Sequence, residues 1–256
     1  MALSNLSARV QGRYRRTVSA LMYRRPFLLR NDVPNISFTF DDFPRSALLT
    51  GGAILSRYGV RGSYYASLGL MGKQAPTGTI FVAEDLQRLL AQGHELGCHT
   101  FDHCHSWGTK PRVFEESIIK NQRALGNLLP GASFRTFSYP IMCPRPLTKR
   151  IMSRYFTCCR GSGGQTFNAS KADLNHLSAF FLEKTRENPQ PVRDLIEQNS
   201  RAKGWLIFAT HDVCDNPTPY GCRPDFFEEI VRCAVSSGAR VLPVVSVWDA
   251  LWANAS

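Results

Sequence analysis

The chain has 256 residues, of which 43% are hydrophobic, and it carries a formal net charge of +11 at pH 7. This apolar content supplies one sizeable core, which suits one large α/β domain or two small ones. No run approaches the ~20 apolar residues of a membrane-spanning helix, and the first residues lack the uninterrupted apolar core of a signal peptide.

The N-terminal segment, residues 1–33, is predicted to be a basic extension in helical conformation. It contains seven arginines and no acid before Asp32, and its apolar stripe at helical spacing consists of Val10, Tyr14, Val18 and Leu21. Such a helix either packs on the body of the domain, which we favour, or rests on an anionic membrane surface.

Strand-like and helical patterns alternate over residues 34–250, which are predicted to form one domain. The predicted strands are 36–41, 61–67, 95–99, 133–139, 155–160, 177–182, 204–210 and 239–245. The predicted helices are 46–58, 83–92, 111–128, 146–153, 190–202, 224–237 and 246–253, with loops at 71–81 and 212–223. Repeated β-then-α units imply parallel strands in a barrel or a doubly wound sheet, and both bind ligands beyond the carboxyl ends of the strands.

Polar side chains follow four of these strands, at the point where each strand ends. Asp41 and Asp42 close the first strand, His99 closes the third, the segment 138–140 closes the fourth and His211 closes the seventh. In a parallel barrel all of these residues would meet at one rim, so we expect a single site there.

Two histidines and a carboxylate predict a metal site at this rim. His99 and His103 are four residues apart, so on one helical turn both imidazoles would face the same ion. Two neutral imidazoles and one carboxylate leave coordination positions open, as in catalytic metal sites. Asp42 is predicted to be the third ligand, whereas Asp41 points elsewhere and takes a proton from water at the metal.

Four motifs in this order and spacing, "TFDD", "HTFDH", "RTFSYP" and "ATHD", resemble the polysaccharide deacetylase family. The shared unit of this family is the NodB-homology domain, similar to carbohydrate esterase family 4. The resemblance implies a distorted (β/α)7-type barrel in a single domain. It also implies that Asp41 is the catalytic base and His211 the general acid, with Asp42, His99 and His103 as ligands of one divalent metal ion. Zn²⁺ is the expected ion, with Co²⁺ or another divalent ion as alternatives.

Two departures from the family pattern leave positions open. Ser138 stands where the family has an arginine that orients the base, so either Arg135 or Arg160 is expected to replace it. The usual fourth motif is missing, and Asp173 is the nearest candidate to hold His211, with Asp212 and Asp215 as alternatives.

The tetrahedral oxyanion is expected to be held near Tyr139 and Ile141, most simply by the backbone N–H of Ile141.

The implied activity is the removal of N-acetyl groups from an amino-sugar-containing oligosaccharide or glycoconjugate. The same scaffold also suits a deformylase or a cyclic-amide hydrolase, and a catalytically inactive basic binding protein is a further alternative. The expected partner is an N-acetylated sugar, with anionic or lipid-linked forms as alternatives. No nucleic-acid partner is expected, since the chain shows no clustered basic and aromatic recognition segment beyond the N-terminal arginines.

The expected location is the cytoplasm, with peripheral contact on the inner face of the membrane as an alternative. Eight cysteines without a CxxC spacing or a secretion signal indicate free thiols in a reducing compartment.

Overall fold

The computed structural model describes residues 2–141, 143–162 and 164–253, with side chains from residue 9 onward; Met1 of the predicted N-terminal extension lies outside them. The α-helices are α1 Ala2–Leu21, α2 Ala53–Arg57, α3 Ala83–Ala91, α4 Pro111–Leu128, α5 Pro146–Met152, α6 Gln190–Ala202, α7 Pro224–Ser236 and α8 Val244–Ala253. The strands are β1 Pro26–Leu28, β2 Asn35–Phe40, β3 Ser63–Ala66, β4 Gln74–Ala75, β5 Gly78–Thr79, β6 Glu95–Cys98, β7 Thr136–Ser138, β8 Cys158–Gly161, β9 Lys171–Asp173, β10 Leu177–Phe181, β11 Trp205–Thr210 and β12 Arg240–Val241. A π-helical turn, Ala47–Gly52, leads into α2, and short 3₁₀ turns cover Leu68–Leu70 and Leu182–Thr185.

Seven parallel strands close into a barrel. Their order is β2, β3, β6, β7, β8, β10 and β11, and β11 pairs back onto β2 along its whole length, from Trp205↔Asn35 to Thr210↔Phe40. The predicted (β/α)7-type barrel is therefore confirmed. The short β12 adds to the start of β2, at Asn35 and Ile36.

Both faces of β2 are buried, as expected for a parallel barrel strand. Phe38 and Phe40 point outward to α7, where their rings lie 5.5 and 5.6 Å from that of Phe227. Between them, the Thr39 hydroxyl donates to the carbonyl of Phe208 at 2.7 Å across the β2–β11 pair. The alternation places the next odd-numbered side chain, Asp41, on the same side as Thr39 at the carboxyl end of the strand.

The barrel interior is partly polar. Glu95 on β6 accepts hydrogen bonds from the Ser63 hydroxyl at 2.6 Å, from the Val245 N–H at 2.9 Å and from the Thr136 hydroxyl. Burial raises the pKa of Glu95 above its ordinary value, although these donors oppose the shift.

Gly97 makes room for an aromatic ring inside the barrel. A Cβ at this position would lie 2.5 Å from the ring of Tyr65, so a larger residue would displace that ring. Tyr65 in turn packs under the guanidinium of Arg160, with 4.5 Å between the guanidinium carbon and the ring centroid. This stack supports Arg160 from below.

The segment after α1 is bound to the barrel wall. β1 pairs antiparallel with β9, a contact that the sequence did not predict. The guanidinium of Arg25 donates to the carbonyls of Phe156, Thr157 and Leu174.

Several predicted elements differ from the observed ones. The N-terminal extension expected to be helical over 1–33 is helical to Leu21 and then contains β1, and the helix expected over 46–58 begins with the π-helical turn. The strand expected over 239–245 is limited to β12, because α8 already begins at Val244. The loop expected over 71–81 contains the β4–β5 hairpin. Among the described residues, no helix is long and apolar enough to cross a membrane.

Candidate active site

The carboxyl ends of the barrel strands form a cavity of about 420 Å³. Asp41 and Asp42 follow β2, His99 follows β6, Tyr139 follows β7 and His211 follows β11, and all five line this cavity. The structure thus brings together residues that are far apart in the sequence. His103 and Ile141 also lie in its wall.

Asp41 is held by a buried arginine. The guanidinium of Arg160 donates to both carboxylate oxygens of Asp41, at 2.7 and 3.1 Å, and both side chains are buried. Arg135, the other arginine that the sequence left open, forms an ion pair with Asp249 on the surface. Arg135 precedes β7, so it lies at the opposite end of the barrel from Asp41, and the alternative that it orients the base is wrong.

Asp42 points to the two histidines. Its Oδ1 lies 3.1 Å from Nε2 of His103 and 3.5 Å from Nε2 of His99, and its Oδ2 accepts a hydrogen bond from the Thr77 hydroxyl at 3.0 Å. Asp42 adopts a positive φ of 59°, which is uncommon for a residue with a Cβ. This backbone conformation turns the Asp42 carboxylate away from that of Asp41, so the two adjacent acids have separate partners.

The ring of His99 is fixed by a second hydrogen bond. Its Nδ1 lies 2.8 Å from the backbone carbonyl of Ser138. A carbonyl can only accept, so Nδ1 carries the proton and the lone pair of Nε2 faces Asp42. His103 lies in an irregular segment, with a φ of 52°, rather than on the helical turn expected from the spacing.

The three side chains Asp42, His99 and His103 could hold a metal ion, because their ligand atoms all lie within 4.8 Å of one another. Asp42 Oδ1 is buried and accepts no hydrogen bond from any described residue, which leaves a charged oxygen available to a cation. One carboxylate oxygen and two imidazole nitrogens are ligands that Zn²⁺ and related divalent ions prefer. The residues present therefore fit a divalent metal.

The electrostatics of the site keep both acids ionised. Burial raises the pKa of each carboxyl group, but nearby positive charge outweighs this effect. The guanidinium of Arg160 lowers the pKa of Asp41. The adjacent imidazole of His103, whose own pKa is raised by the two acids, lowers the pKa of Asp42. Burial lowers the pKa of His99 to about 4, so its ring is neutral near pH 7, as a metal ligand must be.

His211 lines the same cavity as the metal-ligand cluster and is partly exposed. Its Nδ1 lies 3.1 Å from the carbonyl of Tyr220, so Nδ1 donates and Nε2 is the nitrogen left for chemistry. The prediction that Asp173 holds His211 is wrong. Asp173 instead accepts from the Lys149 ammonium at 2.5 Å and from the Arg25 N–H at 2.9 Å.

The alternative carboxylates are not bonded to His211 either. Asp212 accepts from the N–H and the hydroxyl of Thr218, at 2.7 and 2.6 Å, and no hydrogen bond among the described residues joins Asp215 to His211. A backbone carbonyl therefore replaces the expected carboxylate as the partner of the ring.

Tyr139 and Ile141 take different positions in the wall. The Tyr139 hydroxyl donates to the carbonyl of Asn175 at 3.1 Å, so it is already committed to the barrel. Ile141 is 61% exposed with a φ of 71°, and it lines the cavity. Of the two, Ile141 has the free side chain and the strained backbone at the cavity mouth.

Two residues of the site were missed by sequence reasoning. Thr77 positions the Asp42 carboxylate, and Glu183 lines the cavity with a buried Oε2 that accepts no hydrogen bond from a described residue. Burial raises the pKa of Glu183. Both come from segments without a motif, so no local pattern could have indicated them.

Comparison with known proteins identifies the family. Residues 30–155 match the family described as polysaccharide deacetylase. The protein belongs to the polysaccharide deacetylase family. The match includes the strand end with Asp41 and Asp42 and both histidines of the cluster. No curated protein matches the chain.

Solved structures of polysaccharide deacetylase relatives share the fold. The Xyl-CE4 domain of a multidomain xylanase from the hindgut metagenome of Trinervitermes trinervoides is 17% identical, with a TM-score of 0.58 over 86% of this chain and 91% of that chain. A family 4 acetyl xylan esterase from Clostridium thermocellum, in complex with a cobalt ion, is 19% identical, with a TM-score of 0.58 over 84% of this chain and 91% of that chain. Peptidoglycan deacetylase PdaC from Bacillus subtilis is 16% identical, with a TM-score of 0.57 over 87% and 93% of the two chains. At these identities the likeness concerns the fold.

Proposed function

We propose that the protein is a metal-dependent deacetylase that removes N-acetyl groups from an amino-sugar-containing oligosaccharide or glycoconjugate. It would be a hydrolase of carbon–nitrogen bonds other than peptide bonds. The observation that supports the proposal is that three groups of side chains, each suited to one step of the reaction, line one cavity. These are an ionised carboxylate on a buried arginine, an Asp-His-His cluster with an unsatisfied oxygen, and a histidine with one free ring nitrogen.

Asp42, His99 and His103 would hold the cation, Zn²⁺ or another divalent ion such as Co²⁺. When bound there, the ion supplies Lewis-acid chemistry, which withdraws electron density from an acyl oxygen and makes water more acidic.

Asp41 would act as the general base. Arg160 takes one lone pair from each carboxylate oxygen and fixes the carboxylate plane, while each oxygen keeps a second lone pair. The lowered pKa of Asp41 keeps it ionised, so it can take a proton from the attacking water. The water oxygen then bonds to the acyl carbon.

His211 would act as the general acid. Its Nδ1–H is engaged by the Tyr220 carbonyl, so Nε2 is the atom that would deliver a proton to the leaving amine as the C–N bond breaks. The backbone N–H of Ile141, in the cavity wall, would donate to the acyl oxygen as negative charge develops there. The products are acetate and a free amino sugar.

Proteins with this fold include a pseudoenzyme, so the proposed activity rests on the residues of the site. A BA3943 mutant described as a CE4 family pseudoenzyme also has this fold, with 11% identity and a TM-score of 0.58. The joint presence of base, ligand cluster and acid favours an active enzyme over a basic binding protein.

The location of the protein stays a prediction. Cytoplasmic placement with peripheral membrane contact would use α1, where Val10, Tyr14 and Leu21 are 62%, 61% and 69% exposed.

The test is acetate release from N-acetylglucosamine oligomers by protein loaded with Zn²⁺ or Co²⁺ and by the same protein after chelation. Acetate release that is lost on chelation and restored by metal is the expected result. His103→Gln should lower both metal content and acetate release, whereas His105→Gln, outside the cluster, should keep both.

Other outcomes would redirect the proposal. A bound metal without acetate release would contradict the acetyl assignment and favour a formyl group or a cyclic amide as substrate. A protein that binds no metal would contradict the proposal as a whole.

A further inference from the structure

A second cavity lies beside the catalytic one. It has a volume of about 270 Å³ and lies between the C-terminal half of α1, the segment after β8 and the strands β9 and β10. Ser162 lines both cavities. The ring of Tyr139 in the catalytic cavity also packs edge-on against that of His176 in the second one, with ring centroids 6.1 Å apart. One layer of side chains therefore separates the two cavities, and they meet at Ser162.

The second cavity is lined by basic side chains. Arg16, Arg24 and Lys171 lie in its wall and are exposed to solvent there. They come from two elements, α1 with its following turn and β9, so they surround the space rather than forming a single stripe. Converging arginine and lysine donors are the usual means by which proteins bind phosphate.

The one acid among the described lining residues, Asp173, is already neutralised. Its carboxylate pairs with the ammonium of Lys149, a buried side chain, and accepts the backbone N–H groups of Arg25 and Asn175 at 2.9 and 3.0 Å. Arg24 forms a longer ion pair with the same carboxylate, with 4.0 Å between its Nε and Oδ2 of Asp173. The net charge that the cavity presents to a ligand is therefore positive.

Polar side chains complete the wall. Gln165, Ser178 and the half-buried His176 line the cavity, and the buried Nε2 atom of His176 has no hydrogen-bond partner among the described residues. Such a wall offers hydrogen bonds in addition to charge, and it suits an oxygen-rich anion rather than an apolar ligand.

We propose that this second cavity, built from Arg16, Arg24 and Lys171, binds a phosphate group carried by the acylated sugar. The inference rests on the proposed deacetylase function and restricts its substrates from N-acetylated sugars in general to phosphorylated ones. The substrate is an N-acetylated sugar with a phosphate ester or diphosphate link, whose acyl group lies in the catalytic cavity while its phosphate passes Ser162 into the basic one. A neutral polysaccharide would leave Arg16 and Lys171, which form no ion pair with a described residue, without an anionic partner.

The first experiment measures binding without turnover. Asp41→Asn protein is titrated by calorimetry with N-acetylglucosamine 1-phosphate and with the neutral methyl glycoside of N-acetylglucosamine. The phosphorylated sugar should bind at least about 10-fold more tightly, since a charge-assisted hydrogen bond corresponds to about one decade in affinity. Equal affinity for the two ligands would overturn the proposal.

Matched variants locate the phosphate. Arg16→Gln and Lys171→Gln should each remove most of the preference for the phosphorylated sugar. Arg30→Gln removes an exposed arginine of the same N-terminal region that does not line the cavity, so it should leave the preference unchanged. An equal loss in all three variants would show a general effect of net charge and would contradict a specific site.

Turnover separates this inference from the function on which it rests. Metal-dependent acetate release from both sugars at equal kcat/KM would keep the deacetylase and overturn the phosphate site. Absence of acetate release from either sugar, with phosphate-dependent binding intact, would contradict the deacetylase and keep the site.

The same headgroup attached to a polyprenyl chain in detergent micelles distinguishes a lipid-borne phosphate from a soluble one, and a preference for either source supports the site.

Discussion

Adjacent carboxylates can have different roles when the backbone turns between them. Asp41 continues the inward alternation of β2 and meets Arg160, whereas Asp42 has a φ of 59° and meets the two histidines. Positive φ recurs at Thr100, His103 and Ile141. Of these residues, Asp42, His103 and Ile141 line the cavity, so strained backbone lies at the rim beside the site.

Substituting the two arginines that the sequence left open tests the pairing of Asp41. Arg160→Lys keeps the charge but loses the planar pair of donors, so acetate release should fall by about 10-fold or more. Arg135→Lys alters only a surface ion pair with Asp249 and should leave the rate within about twofold. A larger loss in Arg135→Lys than in Arg160→Lys would contradict the assignment. Melting curves of both variants check that each is folded.

The buried side chain of His94 makes the free energy of unfolding depend on pH. Burial lowers the pKa of His94 to about 4, while the unfolded chain has the ordinary value near 6.5. The unfolded state therefore binds a proton that the folded state does not, and stability falls as the pH drops from about 6.5 toward 4.

The measurement is urea unfolding at pH 7.5 and pH 5 for the parent protein and for His94→Asn. The amide oxygen of Asn can accept the Gly62 N–H that bonds Nδ1 of His94 at 3.0 Å, but it does not titrate. The variant should lose less stability on acidification. An identical loss in both proteins would show that His94 does not titrate as described.

At the scale of elements, the segment after α1 is bound to the wall of the barrel by backbone pairing and hydrogen bonds. β1 pairs with β9, and the guanidinium of Arg25 donates hydrogen bonds to three carbonyls, two just before β8 and one just after β9. These contacts join parts of the chain that are far apart in sequence, so no local pattern indicates them.

Arg25→Met tests this attachment. It removes three partly buried hydrogen bonds to carbonyls, and the free energy of unfolding should fall by about 3 kcal/mol. Arg30→Met, at an exposed arginine of the same segment, should change it by less than about 0.5 kcal/mol. Chemical denaturation of the two variants gives both values, and similar losses would contradict a specific role for Arg25.

Elements with a local signal could be predicted from the sequence. The helices α4 and α6 have the predicted bounds, 111–128 and 190–202, because their apolar residues repeat at helical spacing and each has proline in its first turn. The length of the strand expected over 239–245 could not be predicted, because only tertiary contacts limit β12 to two residues.

For the whole molecule, the alternation of β and α elements predicted parallel strands, in a barrel or a doubly wound sheet, with polar residues at the strand ends. The resemblance of the motifs to the family favoured the barrel. The partner of each side chain was harder to predict. Arg160 reaches Asp41 because β8 pairs with β7 in a register that sets Arg160 opposite Ser138. Asp173 pairs with Lys149 and accepts a hydrogen bond from the N–H of Arg25. Neither partner belongs to a sequence motif, so these contacts could not be predicted.

The same architecture separates two roles within the site. One side of the rim supplies the metal ligands, and the buried pair Asp41–Arg160 supplies the base. No hydrogen bond among the described residues joins this pair to Asp42. Removing the base should therefore leave metal binding intact.

The most direct test of this account is the rate of acetate release by Asp41→Asn relative to the parent protein, measured at equal metal content. We predict unchanged metal binding and a rate at least about 100-fold lower, the usual loss when a general base is removed. Full activity in Asp41→Asn with the metal bound would contradict the assignment of Asp41 as the base and the account built on it.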